Sequence, residues 1–287
     1  MATHSHHPQH HDPNVDWAAM AADITREAEV LMPYLTETVS WLAALCRREG
    51  WEVRRVADIG SGPGVGTCVL AQQFDSAVVV AVDGSREMLE RAAARAEALG
   101  LSARVRTRSA DLPAGLDDVG GADLVWAAMV LHHVGDPVAT LGGLRSLLEP
   151  GGVLAIVEFG DPPRFLPDDV GVGRPGLVER LGEVFLAGTA PAVDYRTMIE
   201  AAGFERIADR KVQVHLGPPL AEEARRVALG YLRRLRELAG ERLDAQDRGA
   251  LDRLMDEDAP LGIMRREDAF LDVSRQVYVA RAGEAGG

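Results

Sequence analysis

The chain has 287 residues, of which 47% are apolar, and it carries a formal net charge of −13 at pH 7. This length accommodates one large domain with insertions or two small domains. The strongly acidic balance disfavours broad contact with nucleic acid or with anionic membranes, so we expect neither as a partner.

Targeting signals and cysteine usage indicate the compartment. The first residues lack the apolar core of a signal peptide, and no apolar run is long enough to cross a bilayer. The two cysteines, Cys46 and Cys68, lie in alanine- and leucine-rich helical contexts and form neither a disulfide framework nor a metal-binding knuckle. We therefore expect a cytoplasmic protein.

The N-terminal stretch of residues 1–16 contains five of the eight histidines, which are His4, His6, His7, His10 and His11. Histidine-rich tracts can bind zinc or nickel. The irregular spacing and the interspersed prolines instead favour a disordered tail, which we predict for residues 1–16.

Two helices are predicted between residues 17 and 50. Apolar side chains recur at helical spacing in both halves, first Trp17, Met20, Ile24 and Ala28, then Leu35, Val39, Leu42 and Leu45. Pro33 is expected to separate the two helices, because proline cannot continue a helix interior.

From residue 51 the pattern changes to alternating strands and helices, which predicts an α/β fold with a parallel sheet and right-handed crossovers. The predicted strands are 53–58, 77–83, 103–108, 122–127, 153–159, 206–216 and 272–281. The predicted helices are 67–74, a segment ending near 99, 137–148, 194–202, 220–238 and 244–255, with a short amphipathic piece at 176–186.

The most informative stretch joins the first strand to the helix after it and reads D-I-G-S-G-P-G from Asp58 to Gly64. A strand, a glycine turn and a helix N-terminus together form a nucleotide site. The dinucleotide fingerprint G-x-G-x-x-G/A does not fit, because its last small residue would be Val65 or Thr67, and no Gly-Lys-Ser/Thr ending marks a Walker loop. A carboxylate at Asp58 repels phosphate and suits a cationic ligand, such as an amino group or a sulfonium.

This acidic-x-Gly-x-Gly-x-Gly pattern resembles the first motif of the class I methyltransferases that use S-adenosylmethionine. The resemblance covers residues 53–160 well, and 194–216 and 272–281 more loosely. It implies a Rossmann-like, seven-stranded, mostly parallel sheet with helices on both faces, in which the last strand runs antiparallel between the fifth and the sixth. It also implies S-adenosylmethionine as the cofactor.

The resemblance implies cofactor contacts at the carboxyl ends of the strands, where ligands bind in open parallel sheets. Asp83 would accept both ribose hydroxyls, and Asp111 would meet the adenine amino group or a ring nitrogen. The backbone of the glycine loop would contact the methionine part of the cofactor. The backbone of Ala127 and Ala128 would contact the cofactor near the amino group of that part. The full predicted set is Asp58, Gly60, Ser61, Gly62, Gly64, Asp83, Gly84, Ala110, Asp111, Leu112 and Ala127.

Three segments outside the cofactor-binding core are predicted to form a lid over the transferred methyl group. They are the N-terminal helices 17–50 and the insertions 161–193 and 218–271. The remaining units are the core 51–160, the core helix and strand six at 194–217, and the final strand and tail at 272–287. A lid that excludes water suits a small, partly apolar acceptor.

The helix predicted at 220–238 combines an apolar stripe with several arginines. These are Arg225, Arg226, Arg233, Arg234 and Arg236. We expect them to form a solvated face with local acidic partners and not a nucleic-acid site.

Methyl transfer from a sulfonium depends mainly on in-line positioning, although a hydroxyl, carboxyl or amine nucleophile can also need a base. His133 and His132, just after strand four, are the first candidates, because histidine changes protonation near neutral pH. Weaker candidates are Tyr195, Glu158, Asp161 and His215. No catalytic metal is expected, because the metal-dependent catechol type needs an acid just after strand four, where this chain has alanine and methionine.

The sequence therefore predicts an S-adenosylmethionine-dependent methyltransferase that acts on oxygen or nitrogen of a small molecule, expected to be a secondary metabolite. Two alternatives stay open. One is a non-methylating or regulatory protein that keeps the cofactor pocket, and the other, disfavoured by the loop spacing, is an NAD-linked oxidoreductase. The N-terminal helical pair also offers a surface for a homodimer.

Overall fold

The computed structural model describes residues 17–112, 115–189, 194–240 and 242–282. The tail predicted at 1–16, the end of the insertion at 190–193 and the C-terminal tail at 283–287 lie outside the described residues.

A seven-stranded sheet with the order β3-β2-β1-β4-β5-β7-β6 forms the centre of the fold. Its strands are Arg55–Ile59 (β1), Val78–Asp83 (β2), Val105–Ser109 (β3), Ala122–Ala128 (β4), Leu148–Phe159 (β5), Phe204–Leu216 (β6) and Leu271–Ala282 (β7). Strands β1 to β5 pair in parallel, whereas β7 runs antiparallel to both β5 and β6. The predicted sheet, with its last strand between the fifth and the sixth, is confirmed.

Nine α-helices are present among the described residues. They are Trp17–Val30 (α1), Met32–Arg48 (α2), Val65–Gln73 (α3), Arg86–Ala98 (α4), Pro137–Leu147 (α5), Leu177–Thr189 (α6), Tyr195–Ala201 (α7), Glu222–Ala239 (α8) and Ala245–Met255 (α9). None of the described helices is both long and apolar enough to cross a lipid bilayer.

The sheet is apolar on both faces, as expected for parallel strands covered by helices. On one face Trp126 of β4 is fully buried in a cluster that includes side chains of α2, α3, α6, α8 and α9. On the other face Ile156 of β5 packs in a cluster with α5 and α7. The carboxyl ends of β1 to β5 therefore meet at one edge between the two helical layers.

Some element boundaries differ from the predicted ones. The break between the first two helices falls at Leu31, and Pro33 lies in the first turn of α2, where its missing N–H is not needed. Strand β5 begins five residues earlier than predicted, because Leu148 pairs with Ala122 of β4 before an irregularity shifts the register.

A buried carboxylate of helix α9 forms ion pairs with the insertion after β5. Asp247 is inaccessible to solvent and accepts hydrogen bonds from Arg174 Nη2 (2.9 Å) and from Arg180 Nε (2.6 Å). These hydrogen bonds, the Arg180 pair first, lower the pKa of Asp247 to about 2 against the opposing effect of burial. The carboxylate thus stabilises the fold in its charged form.

We predict that Asp247→Asn lowers the free energy of unfolding by about 2 kcal/mol at pH 7, since hydrogen bonds to a charged group are lost. Because the folded pKa lies below the ordinary value of 3.8, this difference should shrink as the pH falls from about 4 toward 2. Urea unfolding of both proteins measures it. The control is Asp252→Asn, also in α9, which removes an exposed ion-pair partner of Arg236. It should lower the free energy of unfolding by less than about 1 kcal/mol. Equal effects of the two substitutions would contradict the prediction.

Candidate functional site

The loop after β1 takes a backbone conformation that favours glycine. Gly60, Gly62 and Gly64 have φ angles of 64°, 50° and 78°. A Cβ at Gly60 would lie 2.3 Å from Cγ2 of Val130, and one at Gly64 would lie 2.6 Å from Cα of Ala92. The loop therefore lies tightly between α4 and the turn that follows β4. Glycine is required because of the positive φ angles and because a Cβ would clash with these neighbours.

A carboxylate at the end of β2 ties this loop in place. Asp83 Oδ2 accepts a hydrogen bond from Gly62 N (2.9 Å), and Asp83 Oδ1 accepts one from Ser85 N (2.8 Å). Ser85 in turn caps α4 by accepting from Met88 N. Asp83 stands, half-buried, between the glycine loop and a helix N-terminus, which is the position predicted for the ribose ligand.

Asp58 lies beneath the loop instead of facing solvent. It is the penultimate residue of β1, only 3% exposed, and its Oδ2 accepts a hydrogen bond from Thr67 Oγ1 (2.5 Å). Burial, assisted by the charge of Asp83 and opposed by the Thr67 hydrogen bond, raises the pKa of Asp58 to about 7. A nearby cationic group would favour the charged form of this carboxyl. The sequence analysis did not identify Thr67 as its partner.

The residues after β3 and β2 form the next part of this edge. Ala110 is buried, and its N–H donates to the carbonyl of Asp83 (3.2 Å). Asp111 is exposed at the rim, while Leu112 and Gly84 are half-buried. The structure thus brings the three predicted residues after β3 to the same edge as Asp83 and the glycine loop.

The end of β4 differs from the predicted arrangement by one residue. Ala127 is buried and paired with Ile59 of β1 and Ile156 of β5, so it lies within the ladder. The strand continues to Ala128. Met129 follows with a φ angle of 59°, unusual for a residue with a side chain, and its N–H donates to the carbonyl of Val157 (2.8 Å). Such strained residues often cluster at functional sites.

A buried carboxylate organises the turn after β4. Glu158 of β5 is fully buried, and its Oε1 accepts hydrogen bonds from the N–H groups of Val130 (3.1 Å) and Leu131 (2.7 Å). Its Oε2 lies 2.7 Å from Nδ1 of His132. A carboxylate can only accept, so Nδ1 carries the proton and Nε2 is the acceptor nitrogen of the neutral His132 ring. Burial, together with the charge of Glu158, raises the pKa of the Tyr195 hydroxyl nearby.

The other predicted base candidates are placed differently. His133 is exposed, although its ring lies 3.8 Å from that of His132. His215 is exposed on β6 and pairs with Asp272 (2.5 Å). Asp161 is exposed and forms an ion pair with Lys211. Of the candidates, His132 is the histidine held by a buried carboxylate.

An aromatic and cationic cluster adjoins this turn on the side of the insertions. Phe159, the last residue of β5, lies 4.7 Å from the ring of His132 and 5.1 Å from that of Phe185 in α6. The guanidinium groups of Arg275 and Arg234 lie 5.1 Å and 5.8 Å from the Phe159 ring. The sequence analysis placed Arg234 on a solvated face and did not single out Arg275.

Helix α1 covers the glycine loop. Cγ2 of Ile24 lies 3.8 Å from the position that a Cβ of Gly62 would take. Ion pairs link the helix to its neighbours, between Arg26 and Glu223 of α8 (2.7 Å) and between Glu29 and Arg95 of α4 (2.6 Å). This contact brings one segment of the predicted lid next to the loop.

Comparison with known proteins identifies relatives for the same region. A family model described as a methyltransferase domain matches residues 57–154. A trans-aconitate 2-methyltransferase from Methylobacterium radiotolerans is 33% identical over 172 residues, which cover 56% of this chain and 62% of that protein. A demethylmenaquinone methyltransferase from Thermus thermophilus is 33% identical over 166 residues, which cover 53% of this chain and 74% of that protein. The chain thus spans less than two thirds of the trans-aconitate relative.

Solved structures share the fold at low identity. A methyltransferase from Geobacter sulfurreducens, crystallised with S-adenosyl-L-homocysteine, is 20% identical with a TM-score of 0.50 over 86% of this chain and 91% of that one. A candidate methyltransferase from Bacillus halodurans is 16% identical with a TM-score of 0.52 over 86% and 98%. These two likenesses concern the fold alone.

We predict that Asp58→Asn makes the ligand-free protein more stable relative to wild type as the pH rises from 5 to 8. The raised pKa means that folding favours the protonated carboxyl, so the wild type loses stability as the pH rises from about 4 to about 7. Between pH 5 and pH 8 the difference in the free energy of unfolding between the two proteins should change by about 3 kcal/mol. Thermal unfolding of both proteins at each pH measures it.

The exposed Asp75, at the end of α3, provides the control substitution Asp75→Asn. We expect it to follow the wild-type pH dependence. If the stability of Asp58→Asn also follows the same pH dependence as that of wild type, the Asp58 carboxyl is already ionised at pH 5 and the prediction is wrong.

Proposed function

The chain belongs to the class I S-adenosylmethionine-dependent methyltransferases, and we propose that it transfers a methyl group from this cofactor to a small-molecule acceptor. Family membership rests on the methyltransferase-domain match and on a relative that is 33% identical over 74% of its own length. It also decides against the NAD-linked oxidoreductase left open by the sequence analysis.

The residues at the edge of the sheet fit the cofactor of this family. The hydroxyl of Ser61 in the glycine loop is buried and has no hydrogen-bond partner among the described residues, so it can pair with a ligand. Asp83 is an acceptor in reach of a ribose diol, and Asp111 stands at the rim beyond β3. Asp58 lies beneath the loop, and a cationic group bound nearby would favour the charged form of its carboxyl. Together these groups match a ligand with a diol, an adenine and a cationic amino acid part.

The observation that carries the proposal is the Asp83 carboxylate held between Gly62 N and Ser85 N. It fixes the glycine loop and α4 relative to each other and presents acceptor oxygens at the carboxyl end of β2. When bound, S-adenosylmethionine supplies an electrophilic methyl group on a sulfonium. The protein then contributes mainly position, which accounts for much of the catalysis in such a reaction.

His132 supports the proposal of an oxygen or nitrogen acceptor. Its Nε2 can take the proton that such a nucleophile loses, while Glu158 holds Nδ1–H and stabilises the resulting imidazolium. Val130, two residues earlier, contacts Gly60 of the cofactor loop, so the histidine belongs to the same edge. We therefore assign the general-base role to His132 ahead of His133.

The acceptor is proposed to be small, because α1 and the insertions close over this edge. The relatives include proteins named for trans-aconitate and for demethylmenaquinone, so their names span a polar and an apolar acceptor. A secondary metabolite in the cytoplasm remains our proposal for this chain. A homodimer through the N-terminal helices stays a prediction that sedimentation equilibrium would test.

We predict that Asp83→Ala weakens S-adenosylmethionine binding by at least about tenfold, because hydrogen bonds between a carboxylate and two hydroxyls are lost. Isothermal titration measures this, with circular dichroism to verify folding. Asp117→Ala, an exposed acidic residue in the turn before β4, should bind as wild type does. Wild type that fails to bind, or Asp83→Ala that binds equally well, would refute the proposed cofactor site.

We predict that His132→Asn lowers kcat by about 100-fold while leaving the Kd for S-adenosylmethionine within a factor of two. Turnover is measured as production of S-adenosylhomocysteine with each of a panel of candidate acceptors, which are small acids (trans-aconitate included), phenols and amines. His133→Asn, which alters the exposed neighbour, is the matched control and should retain most activity. Absence of turnover with every compound would instead favour the non-methylating alternative, and wild-type kcat in His132→Asn would exclude the base role.

A further inference from the structure

Two arginines converge on one aromatic ring at the carboxyl end of β5. The guanidinium carbons of Arg275 and Arg234 lie 5.1 Å and 5.8 Å from the ring centre of Phe159. The two residues come from different elements, β7 and α8. Both guanidinium groups thus border the same ring, where the N–H groups of either can donate to an anion.

Arg275 is a buried cation with an incomplete set of partners. Its side chain is 2% exposed, and its Nη1 donates to the carbonyl of Ser274 (3.2 Å). Its Nη2 lies 3.0 Å from Glu27 Oε1 and 3.3 Å from the Tyr231 hydroxyl. Its Nε is buried with no hydrogen-bond partner among the described residues. The guanidinium edge that could bind a carboxylate through two parallel hydrogen bonds is therefore only half used.

Arg234 is half-buried, and within the described ranges it makes no hydrogen bond or ion pair to any side chain. The neighbouring arginines of α8 do: Arg226 with Glu222 (2.8 Å), Arg233 with Glu257 (3.1 Å) and Arg236 with Asp252 (2.9 Å). The chain has 44 acidic residues against 31 basic ones, so acidic partners are plentiful. Arg234 is directed to the Phe159 ring instead of to the solvated acidic face.

The carboxylates near the two arginines are already engaged. Glu27 of α1 accepts from both Arg275 and the Tyr231 hydroxyl (2.7 Å) through the same oxygen, Oε1. Glu158 is occupied by two backbone N–H groups and by His132. Burial raises the pKa of the Tyr231 hydroxyl, so it is a neutral hydrogen-bonding group. Both carboxylates near the cluster, Glu27 and Glu158, thus already have partners within the protein, and neither accepts a hydrogen bond from Nε of Arg275.

The cluster adjoins the proposed base. Phe159 lies 4.7 Å from the ring of His132, our proposed base. Helix α1 carries Ile24 over Gly62 and Glu27 three residues further on, which is about 4.5 Å along a helix axis. The guanidinium groups are therefore near both the base and the cofactor loop.

We propose that Arg234 and Arg275 bind an anionic group of the methyl acceptor, a carboxylate or a phosphate, against the Phe159 ring. This inference rests on the proposed function and narrows its substrate class to acceptors that carry negative charge. The forked N–H groups of arginine match the geometry of both anions. The buried surroundings strengthen the attraction relative to an exposed site.

The test uses the full chain saturated with S-adenosylhomocysteine and titrated calorimetrically with three probes: trans-aconitate, its neutral trimethyl ester and inorganic pyrophosphate. At least one of the two anions should bind wild type, with a Kd at least about tenfold higher in Arg234→Gln. Arg233→Gln removes the same charge one residue away and should change the Kd by less than twofold. A response to trans-aconitate identifies a carboxylate site, and a response to pyrophosphate alone identifies a phosphate site.

Glu27→Gln separates this proposal from a purely structural ion pair. Removal of the negative charge beside Arg275 should strengthen anion binding several-fold if the guanidinium binds the acceptor. The proposal is overturned if anion binding is unchanged or weaker in Glu27→Gln, or if Arg234→Gln binds the anion as tightly as wild type does. It is also overturned if the ester binds as tightly as the acid, or if neither anion binds. A separate titration of S-adenosylhomocysteine into each ligand-free protein reports on the cofactor site by itself, so failure of the proposed function is distinguishable.

Discussion

The Asp83 carboxylate is the interaction on which the cofactor edge of this protein depends. By accepting from Gly62 N and Ser85 N it joins β2, the glycine loop and the start of α4. The loop can approach the carboxylate because its glycines adopt positive φ angles and leave room for Val130 and Ala92. Backbone freedom and one well-placed charge thus produce a rigid surface at the carboxyl ends of the strands, and family membership identifies its ligand as S-adenosylmethionine.

A second buried carboxylate organises the acceptor side. Glu158 satisfies the N–H groups of the turn after β4 and orients His132, so one residue of β5 fixes both a backbone conformation and a candidate base. Next to it, Phe159 is bordered by Arg234 and Arg275. In our proposal the residues assigned to the cofactor include acids, whereas those assigned to an anionic group of the acceptor are Arg234 and Arg275.

Much of the fold and half of the site were predictable from local patterns. Apolar runs gave the seven strands, and the spacing of the glycines after Asp58 excluded a dinucleotide and indicated the cofactor. Prediction was poorer where the outcome depends on distant partners. Asp58 was expected to face a ligand, but it is buried beneath Thr67, nine residues later. Arg234 was expected on a solvated face together with the other arginines of α8. Its guanidinium group instead lies over the ring of Phe159, 75 positions earlier in the chain.

The sequence by itself determined the seven strands, the cofactor loop and the acidic residues at the strand ends, because each is encoded within a few consecutive residues whose period or backbone requirement is local, whereas the order of the strands followed from the family resemblance. Only the tertiary structure decided that Glu158 holds His132 and that Arg275 meets Glu27 across 248 positions of the chain. The first contact joins β5 to the turn after β4, and the second joins β7 to α1. Long-range packing selects such partners, and no spacing in the sequence specifies them.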